Sequence, residues 1–279
     1  MKKLLITTAA ALALSASAGL AADLAPVPYY KAPPPPPPAW SWNGCYIGGY
    51  AGGAGSSSVY ATEPVSTGGA FPPGTFYNAP FGAPFSIGGA SSFIGGGTLG
   101  CNWQWNSPLV LGIEGNIGGL HLRNSVVDPN SIAYGGDTRA TATVGDWYGV
   151  IAGRVGFSVD RVLFYAKGGV AFANLSGSWL DTCTAAPCGA GTLNATGSTT
   201  ATGGALGGGI EYAFNPQWSV KAEYLWLGFD QTLNVCGPGG GTAAGSTFCG
   251  TERFRGVNTG VIGLNYRFNL GGGPMGRPY

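Results

Sequence analysis

Short runs of alternating apolar and polar residues recur along most of the chain. In residues 218–229, WSVKAEYLWLGF, the apolar Val220 and Tyr224 share one parity, and the charged Lys221 and Glu223 share the other. A β-strand points successive side chains to opposite faces, so this period of two predicts a strand with one apolar and one polar face. Eight such runs are separated by turn residues, and they occupy 43–53, 93–103, 109–120, 146–157, 162–173, 205–214, 218–229 and 256–268.

The connections between the eight runs alternate between short and long. Tight links such as Asn215-Pro216 join runs two and three, four and five, and six and seven. The other links are polar or Gly-rich and span 54–92, 121–145, 174–204 and 230–255. Most runs contain 10 to 13 residues, which suits the ~9–11 residues that a tilted strand needs to cross a bilayer. Short turns that alternate with long external loops are typical of outer-membrane barrels.

Strand length, an even strand count and loop alternation together predict the fold class. We expect an all-β protein, an eight-stranded antiparallel up-and-down transmembrane β-barrel with short periplasmic turns and long extracellular loops, over residues 42–268. The alternative is a soluble barrel or sandwich, whose polar exterior should be rich in Lys and Glu. Charged residues make up only 9% of this chain, against about 25% in typical soluble domains. The membrane barrel is therefore the favoured interpretation.

The charged residues within the runs always fall on the polar side of the alternation. In an eight-stranded barrel that side lines a narrow lumen, which side chains just fill. Each charge there needs a partner, because removing an ion from water costs several kcal/mol. We therefore expect an ion network in the lumen, formed by Glu114, Arg154, Lys167, Glu211, Lys221, Glu223 and Arg267.

The two ends of the chain differ from the strand region. Residues 1–21 have the composition of a secretory signal peptide: two lysines, a short apolar stretch and small residues before a cleavage site after Ala21. Residues 22–41 contain a proline run, which adopts polyproline II and predicts a stiff periplasmic spacer. Residues 269–279 are expected to form a C-terminal tail in the periplasm.

Six cysteines agree with export to an oxidising compartment. Their positions favour three local disulfides, although other connectivities remain open: Cys45–Cys101, Cys183–Cys188 and Cys236–Cys249. If Cys45 lies opposite Cys101 in an antiparallel hairpin, both cysteines sit near the periplasmic end, where a cross-strand disulfide is geometrically possible. A metal site is not predicted, because no CxxC occurs and His121 has no partner histidine.

Several stretches of the chain carry a family resemblance: AADLAPVPYYKAPPPPPPAWSWNGCYIGG, FIGGGTLGCNWQ, LGIEGNIGG, DWYGVIAGRVGF, VLFYAKGGVA, IEYAFNPQWSVKAEYLWLGF and VIGLNYRFN. With these stretches the chain resembles the small alphaproteobacterial outer-membrane proteins called outer-membrane immunogenic or porin-family proteins, which have an OmpA/OmpX-like barrel. The resemblance implies a Gram-negative outer-membrane location, contact with outer-membrane lipid, and a terminal aromatic read by the barrel-insertion machinery. Tyr266 and Phe268 are the expected barrel-closing aromatics, although further residues follow them.

The resemblance also implies a structural function. We expect a surface barrel that contributes to envelope integrity and presents extracellular loops, with its lumen plugged by the ion network. No cofactor is expected, and a net charge of +1 offers no basic excess for nucleic acid. The sequence does not identify the extracellular partners.

Three other functions compete with this one. A small-solute pore is one alternative, but aqueous porins have about 16–18 strands. Ligand binding of the haem type is another, with His121 and the loop tyrosines Tyr60, Tyr77 and Tyr134 as contacts, although no haem motif occurs. An enzyme is not expected and no catalytic residue is predicted, because a Ser-His-acid triad would depend on the single His121 and no GxSxG is present.

Overall fold

A computed structural model of the chain describes residues 40–75, 77, 84–105, 107–133, 137–182 and 191–268. The predicted signal peptide, nearly all of the predicted spacer and the predicted tail lie outside these residues. So do Cys183, Cys188 and Tyr134. These predictions stay predictions.

The described residues form ten strands and one short helix. In chain order these are β1 Gly44–Ser56, β2 Val59–Gly68, β3 Phe85–Gly88, β4 Ser91–Gln104, β5 Leu109–Val127, α1 Pro129–Ala133, β6 Arg139–Val159, β7 Val162–Asp181, β8 Gly191–Ala213, β9 Trp218–Gly241 and β10 Thr247–Phe268. No helix in the described part of the chain has the length and apolar composition needed to cross a membrane.

Eight strands close into a ring, which confirms the predicted fold class. Strands β4 to β10 pair antiparallel with their chain neighbours, and β1 pairs with both β4 and β10. The closing pair aligns Cys45 with Phe268 and Ile47 with Tyr266. The short turns lie at one end of this ring, together with the start of β1 and the end of β10. We call this end the turn end.

The long links predicted as loops are mostly strand, which corrects that part of the expectation. Strands β5 to β10 contain 19 to 24 residues each, about twice the length of the alternating runs. The added length projects beyond the end opposite the turns. We call this part the extension, and it comprises β2, β3 and residues 121–127, 139–147, 174–181, 191–202, 230–241 and 247–255.

The first long link completes the ring within the extension. Strand β2 pairs with the extended part of β10, and β3 pairs with β2. On the far side of β3, the Asn124 side chain of β5 donates to the carbonyl oxygens of Ile87 (2.8 Å) and Gly89 (3.1 Å). Strands β2 and β3 therefore occupy, in the extension, the side of the ring that β1 and β4 occupy near the turns.

The apolar face of the wall is its outer face near the turns and its inner face in the extension. Near the turns, large apolar side chains point outward and remain exposed, among them Ile151, Phe157, Ile210, Trp226 and Ile262. In the extension, apolar side chains point inward and are buried, among them Leu175, Trp179, Leu193, Phe248 and Phe254. Bulges in β6 and β9 lie at the level where the two parts meet.

Candidate functional site

The lumen near the turns contains six buried charges, which we call the lumen network. Five adjacent strands, β5 to β9, supply them. Their side chains are no more than 2% exposed, and they are Glu114, Arg154, Lys167, Glu211, Lys221 and Glu223. Three carboxylates face three cations, so the formal charges cancel within the network.

Glu114 is the centre of the lumen network. Its Oε1 accepts from Lys167 Nζ at 2.6 Å and from Lys221 Nζ at 3.0 Å. Its Oε2 accepts from Arg154 Nη1 at 3.2 Å and from the Tyr46 hydroxyl. One carboxylate thus contacts all three cations of the network, which satisfies its lone pairs in a place without bulk water.

Arg154 connects this centre to Glu211. The second guanidinium nitrogen donates to Glu211 Oε2 at 2.8 Å, and the guanidinium carbon lies 3.9 Å from the centre of the Tyr165 ring. The other oxygen of Glu211 accepts from Ser219 Oγ (2.6 Å) and from Asn265 Nδ2 (2.9 Å). Arginine suits this position because its planar fork can bind carboxylates and stack on a ring at once.

Glu223 completes the network on β9. It accepts from Lys167 Nζ at 3.2 Å and from the Tyr165 hydroxyl at 2.8 Å. Lys221 Nζ lies 3.8 Å from Glu223 Oε2, the oxygen that accepts from Tyr165. Each lysine therefore contacts two carboxylates, and the network is continuous from Glu211 to Glu223.

Glycine on the inward face makes room for these long side chains. At Gly112 on β5, an added Cβ would lie 2.8 Å from Arg154 Cγ and would also clash with the Asn102 side chain. A contact of this length requires the neighbour to move, so the Arg154 side chain occupies space that only glycine leaves open.

Arg267 does not join the network, which corrects the prediction. No carboxylate of the described residues lies within salt-bridge distance of it; instead its Nη1 donates to the Ser41 carbonyl at 3.2 Å. Its guanidinium lies 4.6 Å from the Trp42 ring and 5.4 Å from the Trp40 ring. Trp42 is fully buried and its Nε1 donates to the Asp160 carbonyl at 3.2 Å, so these residues cover the lumen at the turn end.

Sequence reasoning missed the neutral partners of the charges. Tyr46, Tyr165, Ser219 and Asn265 all hydrogen-bond network carboxylates. The available signal was the alternation along each strand. Tyr165, Ser219 and Asn265 each lie two residues from an inward-facing charged residue of the same strand, and Tyr46 lies on the buried face of β1. Above the charges, the Tyr148 hydroxyl donates to the Tyr50 hydroxyl at 2.6 Å and separates the network from the apolar core of the extension.

Three of the four residues proposed for ligand binding are described, and they lie in different surroundings. His121 is exposed on the outer face, with Nδ1 3.7 Å from Asp146 Oδ1. Tyr60 also points outward, under the guanidinium of Arg255. Tyr77 is half-buried against the core of the extension, where burial and the neighbouring carboxylate of Asp181 raise its pKa. No group of three metal-binding side chains occurs among the described residues.

The extension contains a buried acid of a different kind. Glu252 is fully buried, and neither carboxyl oxygen has a hydrogen-bond partner within the described residues. Burial raises the pKa of Glu252 to about 9. The carboxyl is therefore protonated at neutral pH, because a charge without a partner would be costly there.

Two disulfides fix the wall near its two ends. Cys45 is joined to Cys101 across β1 and β4 at the turn end. Cys236 is joined to Cys249 across β9 and β10 in the extension. Both pairs are among the three expected from the sequence. The third, Cys183–Cys188, lies outside the described residues.

The closed antiparallel ring with an apolar outer belt defines the class of integral β-barrel proteins. Residues 7–268 match the family model described as outer membrane protein beta-barrel domain. The chain belongs to this family, and it is an outer-membrane protein. Its turn end is accordingly periplasmic and its extension extracellular.

The chain is similar to named relatives and to solved structures. The 31 kDa outer-membrane immunogenic protein of Brucella melitensis biotype 1 is 28% identical over 276 residues, which cover 96% of this chain and 100% of the relative. The protein of the same name from Brucella suis biovar 1 matches to the same extent. OprG from Pseudomonas aeruginosa is 10% identical, with 83% of this chain and 99% of that chain covered and a TM-score of 0.42. Ail of Yersinia pestis is 13% identical, with 81% and 99% covered and a TM-score of 0.38.

Proposed function

We propose that this protein is a closed structural barrel of the outer membrane, which contributes to envelope integrity and presents its extension at the cell surface. The observation that carries the proposal is the contact of Glu114 with all three lumen cations, each of them almost fully buried. Six charges and their tyrosine partners occupy the space that a pore would need. The apolar core of the extension and Trp42 at the periplasmic end support the same interpretation.

The proposal also includes the partners of the barrel. The outward apolar belt is suited to outer-membrane lipid, because unpaired polar side chains are costly in hydrocarbon. Tyr266 and Phe268 lie on the strand that closes the ring, where an insertion machinery would meet them. The name of the Brucella relatives includes the word immunogenic, which agrees with exposure of the extension at the surface. No catalytic role is proposed.

The envelope function is tested in cells from which the gene is deleted. We expect the deletion to increase entry of a bulky dye that an intact outer membrane excludes. The wild-type chain should restore exclusion, and so should His121→Ala, because the proposal gives His121 no role. A deletion that instead slows the uptake of small solutes would support the pore and contradict the structural role.

A further inference from the structure

The extension has one wall where six of nine outward side chains carry a hydroxyl. On β7 and β8 the outward side chains above the apolar belt include six that we call the hydroxyl face: Ser176, Ser178, Thr196, Ser198, Thr200 and Thr202. The four on β8 are exposed, and Ser176 lies opposite Ser198 while Ser178 lies opposite Thr196. The result is an ordered array, because β-branched threonines are stiff at χ1 and the strands fix their spacing.

Charge is absent from this face although it occurs on the other walls. The outward positions of β7 from 174 to 180 and of β8 from 194 to 202 contain no Asp, Glu, Lys or Arg. Exposed Arg123 and Arg139 lie on β5 and β6, and an exposed Arg253–Asp230 pair lies across β9 and β10. A wall that faced only bulk water would be expected to mix charges of both signs. The hydroxyl face instead offers neutral donors and acceptors.

The hydroxyl face begins at the upper limit of the apolar belt. Thr202 lies directly opposite Phe172, at the upper limit of the apolar belt that contacts lipid. The face is therefore continuous with the membrane interface, and it begins where the hydrocarbon ends. Headgroups of the outer leaflet are therefore the molecules that would border it.

The height of the face distinguishes between kinds of headgroup. From Thr202 to Thr196 the strand rises about 20 Å at ~3.3 Å per residue, or about 15 Å along the membrane normal at the usual barrel tilt. A phospholipid headgroup zone is only about 5–8 Å thick on each side of a bilayer. The face is thus about twice as tall as that zone, and it matches a headgroup that continues outward as a chain of sugars.

We propose that the hydroxyl face binds the oligosaccharide headgroups of the glycolipids that surround the barrel in the outer leaflet. Sugars carry hydroxyls that both donate and accept, which complements serine and threonine without any need for charge. Binding through many such groups fixes the outer leaflet to the extension.

The test uses the full-length mature barrel in vesicles of phosphatidylethanolamine that contain either lipopolysaccharide with its oligosaccharide or the lipid anchor of lipopolysaccharide alone. The measured quantity is the amount of glycolipid that remains with the barrel after a mild detergent wash. We expect the wild type to retain about tenfold more of the sugar-bearing form, the equivalent of one or two net hydrogen bonds.

Matched variants separate the hydroxyls from the shape of the wall. The triple variant Thr196→Val, Thr200→Val and Thr202→Val removes three of the six hydroxyls and keeps the β-branched shape, and it should lose most of the preference for the sugar-bearing glycolipid. The triple Thr→Ser variant at the same positions keeps the hydroxyls and should behave like the wild type. Heat-modifiable mobility on gels establishes that each variant is a folded barrel. Retention that is unchanged in the valine variant, or equal for both glycolipids in the wild type, contradicts the proposal.

Discussion

At the scale of single residues, Glu114 determines how the lumen is filled. A carboxylate in this position would be strongly destabilising alone, because its desolvation costs several kcal/mol. Contacts with Lys167, Lys221 and Arg154 offset that cost, and the Tyr46 hydroxyl satisfies a further lone pair. The network is therefore balanced only while Glu114 keeps its charge.

Glu114→Gln should destabilise the barrel strongly. The glutamine is nearly the same size but leaves three buried cations against two carboxylates, and breaking a buried pair costs about 3–5 kcal/mol. Urea unfolding in lipid vesicles measures the loss. The matched control is Asp230→Asn, which breaks the exposed pair with Arg253 and should change the free energy of unfolding by less than about 1 kcal/mol. Equal effects of the two changes would show that the lumen network does not stabilise the barrel.

The sequence predicts that the six network charges face the lumen, but it does not predict which charges form pairs. Parity along one strand is a local property, so it places Glu114 or Lys221 inside without further information. Which charge meets which depends on the register across five strands, and that is not local. Arg267 shows the limit: its parity is correct, but contacts with Ser41 and Trp42 hold it at the periplasmic end.

Glu252 should make the stability of the extension depend on pH. Its pKa is about 9 when folded and 4.5 in its ordinary state, so between these values the folded form holds a proton that the unfolded form has released. The free energy of unfolding should therefore fall as the pH rises through this window, by at most about 1.4 kcal/mol per pH unit. Glu252→Gln removes the titrating group and should flatten this fall. Parallel pH profiles of the wild type and the variant would contradict the assignment.

At the scale of secondary-structure elements, the long strands were the least predictable feature. Apart from Leu193 and Asn194, residues 191–204 are all threonine, serine, glycine or alanine, so the contrast between the two faces is low and the stretch resembles a polar loop. Strand β2 depends on pairing with the extended part of β10, a partner far away in the sequence, and β3 in turn pairs with β2. The membrane-crossing runs were predictable because their outward side chains are apolar and their inward side chains include charges, so the two faces of each strand differ strongly.

The two described disulfides should stabilise the barrel to different extents. In the chain-entropy account the stabilisation grows with the enclosed loop. The sequence separation is 56 for Cys45–Cys101 and 13 for Cys236–Cys249, which corresponds to about 4 and about 3 kcal/mol. Paired Cys→Ser variants, compared by thermal unfolding, should show the larger loss at the periplasmic end. A larger loss for the extension pair would mean that loop closure is not the main effect.

At the scale of the whole molecule, the barrel has two parts with opposite sidedness. In the membrane, apolar side chains face outward to hydrocarbon and charges face inward to one another. In the extension, apolar side chains such as Trp179 and Phe248 face inward, and hydroxyls face outward. Each part buries what its surroundings do not solvate. The same ring therefore serves as a membrane anchor and as a surface structure with its own core.

Closure of the lumen is the central claim, and single-barrel recording in a planar bilayer tests it most directly. The purified wild-type barrel should insert without producing stable conductance steps, because the network, the Tyr50–Tyr148 pair and the core of the extension fill the lumen in succession. A porin of about 16–18 strands, recorded in the same bilayer, provides the positive control for an open aqueous channel. Stable, reproducible steps from the wild-type protein would contradict the account.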